Sequence, residues 1–234
     1  MLGGRMGPLS SRVSRRGHER HMEIASYGDW IGGVGDMVMN VMNTAVASST
    51  LRSLVGDLEM AVRGFAPGQP TVDAVVSALR PALGDPSLLS PDQQAGDPQH
   101  YRQHLLHVAD DGAFSLVALV WLPGQKTPIH DHLAWCVVGV HQGAEYEIRY
   151  VRRPDGRLAR VGTAVAYVGD VAGLLPPGDI HRVHNSGDDM AISLHVYGAD
   201  LRDVGSSIRR SYDENDVRAA PVGRAAIPQQ NVPS

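Results

Sequence analysis

His130 and His132 stand two residues apart in Pro128-Ile129-His130-Asp131-His132. On an extended strand, residues i and i+2 point to the same face, so both imidazoles can reach one metal ion. A third candidate, His181, ends Pro176-Pro177-Gly178-Asp179-Ile180-His181, where the prolines and glycine make a turn that can return it to the first pair. Imidazole is a good ligand for iron and for other first-row divalent metals. Ser193, His195 and Tyr197 repeat at period two, which puts three polar groups on one face of an otherwise apolar strand. Plainer roles fit the remaining residues of these types. A lone histidine is usually a surface or satisfied core residue, and that holds for His18, His21, His100, His107 and His141. His184 reads as a neighbour of the motif or a surface residue. A buried cysteine often packs as a small hydrophobe, so Cys136 can be read that way. Trp121 and Trp135 read as core, and Arg152, Arg153, Arg157 and Arg160 as a solvated face. Glu145 and Glu147 read as facing solvent or supporting a strand.

Short strands are what such a set needs, and the second half of the chain supplies the pattern. Apolar runs alternate with Gly, Pro and Asp turns: Leu105 to Val108, Phe114 to Leu122, Cys136 to Val140, Tyr146 to Val151, Val161 to Val168, Val171 to Leu175 and Met190 to Tyr197. Many short strands at even spacing predict an all-β sandwich or barrel, and Pro154-Asp155-Gly156 predicts a hairpin turn. Two helices precede it. Ser49-Thr50 lead Leu51, Leu54, Val55, Leu58 and Val62 at helical spacing, ended by Gly64 and Pro67. Thr71 is read as capping a second helix with Val72, Val75, Val76, Leu79 and Leu83, whose last turn falls at Pro81. The expected organisation is a disordered arm over 1–48, a helical segment packed on the barrel over 49–85, the barrel over 86–212 and a mobile tail over 213–234. The arm is arginine-rich and polar where an export signal would turn apolar, and the stretch upstream of Met22 reads as an over-long start.

The two histidine stretches resemble the two cupin motifs. Gly124, His130, His132, Cys136 and Gly143 match the first, with Cys136 where most metal-binding cupins carry Glu. Pro176, Gly178, His181 and Asn185 match the second. The resemblance implies a mainly β fold: a cupin double-stranded β-helix, or jelly-roll barrel, preceded by two N-terminal helices. Three-histidine cupins of this kind are similar to the cysteine dioxygenase family, over Tyr101 to about Tyr212 and the two leading helices. That likeness implies Fe(2+) held by His130, His132 and His181. Three neutral imidazoles leave the metal its full charge and open positions for a thiolate and O2. It also implies a hydrogen-bonded Ser193-His195-Tyr197 series beside the iron, and a covalent crosslink between Cys136 and Tyr197 as in animal-type members.

For substrate, Tyr101-Arg102-Gln103 lies where the cysteine-specific branch reads Tyr-x-Arg, with the Arg on the substrate carboxylate. Gln103 cannot make that salt bridge. This resembles the bacterial branch that oxidises 3-mercaptopropionate, in which an Arg after the tyrosine motif takes the carboxylate; Arg209 and Arg210 are the candidates, with Tyr101 and Gln103 also at the substrate. The expected activity is oxidation of a small carboxylate-bearing thiol, 3-mercaptopropionate over cysteine, by O2 to the sulfinate. The alternatives are another metal-dependent cupin enzyme, an isomerase or a carbon dioxygenase, or a non-catalytic cupin that binds a small molecule.

The chain's 234 residues suit one domain with extensions. A net charge of -4 gives no reason to expect nucleic acid or an anionic membrane as partner, and no apolar run approaches a span. One cysteine excludes an intrachain disulfide and fits a reducing cytoplasm. The protein is expected to be cytoplasmic, and a monomer or weak homo-oligomer.

Overall fold

The computed structural model describes residues 47–218; the expected arm before it and most of the expected tail lie outside the described residues. Helix α1 runs Ser49–Arg63, capped by Ser48, whose hydroxyl accepts from the Leu51 N–H at 3.0 Å. Its apolar stripe buries Leu51, Leu54, Leu58 and Ala61, and full burial of each leucine is worth about 1.5–3 kcal/mol. Helix α2 runs Gln69–Leu79. It begins two residues before the expected cap, because Gly68 (φ 125°) turns the chain and Pro70 fits the first helical turn. Thr71 instead bonds back to the Ala66 carbonyl at 2.8 Å. A 3-10 turn over Arg80–Ala82 takes up Pro81, and a second over Pro91–Gln94 crosses the loop before the sheets.

The strands are β1 Arg102–Val108, β2 Ser115–Trp121, β3 Ile129–His132, β4 Cys136–Gln142, β5 Ala144–Arg152, β6 Leu158–Tyr167, β7 Val171–Leu174, β8 His181–His184 and β9 Ala191–Tyr197. After a short helix α3 (Leu201–Val204) come β10 Ile208–Tyr212 and β11 Val217–Arg218. One sheet has the order β1-β2-β9-β4-β7 and the other β10-β3-β8-β5-β6-β11. Neighbours are antiparallel except β11, which pairs parallel to β6. These two sheets form a cupin double-stranded β-helix behind two helices. Residues 214–218, assigned to the tail from sequence, are a 3-10 turn and β11 on the sheet edge. Pro154-Asp155-Gly156 forms the β5–β6 hairpin turn, with Gly156 at φ 82°.

Strand β9 shows how the site is built. Ile192, Leu194 and Val196 face outward into one apolar cluster with Leu51, Leu58, Val72 and Leu79 of the helices. Ser193, His195 and Tyr197 take the alternate positions and face inward, toward the other sheet. Because the helices cover the outer face, every residue of β9 is buried. No helix among the described residues is long and apolar enough to cross a membrane.

Candidate metal centre

Strands β3 and β8 are hydrogen-bonded neighbours, and His130 stands directly opposite His181 in their register. His132 follows two residues on, so the three rings meet inside the barrel, with centroids 4.7–5.1 Å apart. One ring nitrogen from each lies within 4.8 Å of the other two. The other nitrogen of every ring is engaged. His130 Nδ1 donates to the Pro128 carbonyl at 3.0 Å, His132 Nδ1 to Asp179 at 2.9 Å and His181 Nδ1 to Glu147 at 2.9 Å. That pattern fixes the tautomer and leaves Nε2 as the lone-pair nitrogen facing the centre. The His181 Nε2 is buried with no hydrogen-bond partner among the described residues, which a divalent metal would satisfy. Burial holds His130 well below the ordinary histidine range, and the neighbouring His181 and His132 push the same way. Burial likewise lowers His132, with Asp179 opposing it. Neutral imidazoles are what metal binding requires. The donor set fits a three-histidine metal site with open positions.

Asp179 and Glu147 are the two carboxylates that orient this site, and sequence reasoning did not find either role. Asp179 sits between Gly178 and His181, so the turn that returns His181 also delivers the carboxylate to His132. Glu147 and Glu145 face inward, not into solvent: Glu147 reaches His181, and Glu145 is 4% exposed.

Across from the rings, His195 bonds Ser193 through Nε2 at 2.9 Å and Tyr197 through Nδ1 at 3.1 Å. Trp121, besides filling the core, donates its indole N–H to Ser193 Oγ at 3.1 Å. The Tyr197 ring lies 6.1 Å from the His132 ring between centroids. Burial pushes His195 down to about 3, so the ring is neutral, and pushes the Tyr197 phenol well up. Cys136 pairs directly with Tyr197 across β4 and β9, and its sulfur is 4.0 Å from His195 Nδ1. Burial raises this thiol well above its ordinary value. Asn185 braces the turn after β8 through its amide, which donates to the Trp121 and Asp189 carbonyls.

A cavity of about 30 Å³ lies at the three histidines, and Tyr101 and Gln103 line it with Tyr197 and Ser207. Tyr101 stacks on Trp121 at 4.6 Å, and the buried Gln103 Nε2 has no partner among the described residues. Arg209 and Arg210 are placed elsewhere. Both bind Asp131, at 2.7 and 3.0 Å, and Tyr212 donates to the same carboxylate at 2.8 Å. Asp131 alternates with His130 and His132 and so points to the opposite face of β3, which carries both arginines away from the cavity.

The family model for cysteine dioxygenase type I matches residues 92–210. The chain belongs to the cysteine dioxygenase type I family. The matched residues hold all three histidines, Cys136 and the Ser193-His195-Tyr197 series, while α1 and α2 precede them. Among members of the family, cysteine dioxygenase type 1 of Danio rerio is 27% identical over 133 residues, which is 52% of this chain and 63% of the relative. The chain thus spans less than two thirds of that relative's length. Two solved structures are also similar to this chain. A Cupin 2 conserved barrel domain protein from Salinispora arenicola is 22% identical, with 47% of this chain and 83% of that one covered, at a TM-score of 0.35. An rmlC-like cupin family protein with a double-stranded β-helix fold from Methanocaldococcus jannaschii is 12% identical, with 47% and 90% covered, at 0.35.

Proposed function

We propose that the chain is an iron(II)-dependent thiol dioxygenase that converts a small carboxylate-bearing thiol and O2 to the sulfinate, with 3-mercaptopropionate preferred over cysteine. The observation that carries this reading is the pairing of three buried, anchored imidazoles with Tyr197, which lines the same cavity and whose hydroxyl is held by His195. Iron at His130, His132 and His181 would supply the redox chemistry that joins both atoms of O2 to sulfur. The protein's own part is positional. Pro128, Asp179 and Glu147 hold the imidazoles in place before any ligand arrives, so little reorganisation is left for binding. His195 holds the Tyr197 phenol, and Ser193 and Trp121 hold His195. The apolar wall of Leu119 and Val183 limits water around the reacting atoms.

The substrate preference rests on the cavity lining. Among the described residues that line it there is no carboxylate to meet an ammonium group, which cysteine carries and 3-mercaptopropionate lacks. Gln103 offers a buried amide donor with no partner among the described residues, and a substrate carboxylate can accept from it. Metal analysis of the purified chain with O2 uptake on 3-mercaptopropionate, cysteine and cysteamine tests the proposal. Iron near one per chain and fastest uptake with 3-mercaptopropionate are expected; an iron-loaded chain that oxidises no thiol contradicts it.

A further inference from the structure

Behind the three histidines lies a second cavity of about 270 Å³, lined by Glu145, Glu147, Val138 and Leu174 and, on its exposed rim, by Arg80 and Asp170. His181 and Val183 line both cavities. Glu145 is 4% exposed, and its Oε1 is buried with no hydrogen-bond partner among the described residues. Ser193 and Trp121 act on this carboxyl and oppose the rise that burial gives it. The Ser193-His195-Tyr197 series therefore has a carboxyl at its far end, and that carboxyl opens onto a separate cavity that reaches the surface.

We propose that Glu145 is the terminal proton acceptor of this series: it takes the proton that the substrate thiol loses on binding, relayed through Tyr197, His195 and Ser193, and discharges it into the second cavity. The proposal rests on the thiol-dioxygenase reading for the source of the proton; the path rests on the Tyr197–His195–Ser193 hydrogen bonds and on Ser193 acting on Glu145 at their end.

Hydrogen-bond directions make the path work. Ser193 Oγ already accepts from the Trp121 indole, so its one hydrogen has two takers, Glu145 and His195 Nε2. When Glu145 is ionised, Ser193 donates to it. His195 then carries its proton on Nε2 and donates to Ser193, while Nδ1 accepts from Tyr197. One proton entering at the Tyr197 oxygen drives each hydrogen one place along: from Tyr197 to Nδ1, from Nε2 to Ser193, from Ser193 to Glu145. The thiol loses one proton, Glu145 gains one, and His195 changes tautomer without gaining charge.

The charges around Glu145 suit this role. Burial raises the acid to about 7, Ser193 and Trp121 oppose that, and Glu147 on the same strand adds to it. Of the other groups around it, Cys136 and Tyr197 are themselves pushed up by the Glu145 charge, His181 faces the cavity from β8, and Arg80 and Asp170 sit at the rim. An acid poised near neutrality can both accept and release a proton under working conditions.

The test is the 15N NMR of the His195 ring in the full chain loaded with diamagnetic zinc, between about pH 5.5 and 8.5. This readout needs no thiol and no turnover, so it stands or falls apart from the dioxygenase reading. As pH rises through the Glu145 titration, the protonated nitrogen should move from Nδ1 to Nε2. Glu145→Gln should abolish the exchange, leaving one tautomer at every pH, and Ser193→Ala should abolish it with Glu145 intact. In the iron-loaded chain, kcat/KM should rise through the same titration, and Glu145→Gln should lose that limb. A His195 that keeps one tautomer across the range in the parent, or an exchange that survives in Glu145→Gln or Ser193→Ala, would overturn the proposal.

Discussion

Asp179 holds His132 twice: one carboxylate oxygen accepts from the backbone N–H at 3.0 Å and from the ring Nδ1 at 2.9 Å. Removing it frees the imidazole to rotate and strands a buried N–H. Asp179→Ala should therefore lower metal affinity by about 10–100-fold and cost about 1–3 kcal/mol of stability. Chelator competition and thermal melting read the two effects. An unchanged chelation midpoint would show that His132 needs no external anchor.

Cys136 and Tyr197 face each other across β4 and β9 within one buried cluster. Loss of the thiol hydrogen and one ring hydrogen, with O2 as the two-electron acceptor, would join sulfur to ring. Protein recovered after aerobic turnover should be lighter by two hydrogens, and Cys136→Ala should not change in mass. An unmodified parent after many turnovers would mean that the cysteine only packs.

Gln103 sits in the cavity with an unpartnered amide, so Gln103→Arg places a guanidinium where the substrate carboxylate would lie. The ratio of kcat/KM for cysteine over 3-mercaptopropionate should rise, because the guanidinium would take the carboxylate in the cysteine-type pose and leave the cysteine amine free to reach the metal. An unchanged ratio would remove Gln103 from substrate selection.

Asp131 gathers Arg209, Arg210 and Tyr212 and so fastens β10 to the strand that carries two of the site histidines. Burial would raise this carboxyl, but Arg209, Tyr212 and Arg210 outweigh it and hold it below the carboxylate range. Both arginines are partly solvent-screened, so Asp131→Asn should cost about 1–2 kcal/mol. A folded pKa below the unfolded one stabilises fully above about pH 4 and is lost as pH falls through the depressed value. The melting difference between parent and variant should be constant near neutrality and close only in strong acid. A gap that closes between about pH 6 and 8 would point to another group.

The residues most legible in the sequence are those whose spacing is itself the chemistry. His130 and His132 share a strand face by period two, and the proline-glycine turn returns His181 to them. The same alternation places Ser193, His195 and Tyr197 on one face of β9. Alternation does not say which face is inside, however, and so Glu145 and Glu147 read as facing solvent or supporting a strand from sequence alone. In this barrel the inner face is polar because it carries the site, which reverses the usual rule for a strand. Asp179 is within reach of sequence, since it sits two residues before a candidate ligand in a tight turn. The placement of Arg209 and Arg210 is not, because α3 and the irregular β3–β10 register decide where β10 points, and neither has a local sequence signal.

Both atoms of O2 are expected to reach the sulfur at the three-histidine site. Mass spectrometry of the sulfinate formed from 3-mercaptopropionate under 18O2 in ordinary water tests it most directly. A product carrying two 18O atoms, lost in His130→Ala, His132→Ala and His181→Ala, is the result expected. A product with one 18O atom or none, or disulfide as the sole product, would contradict it.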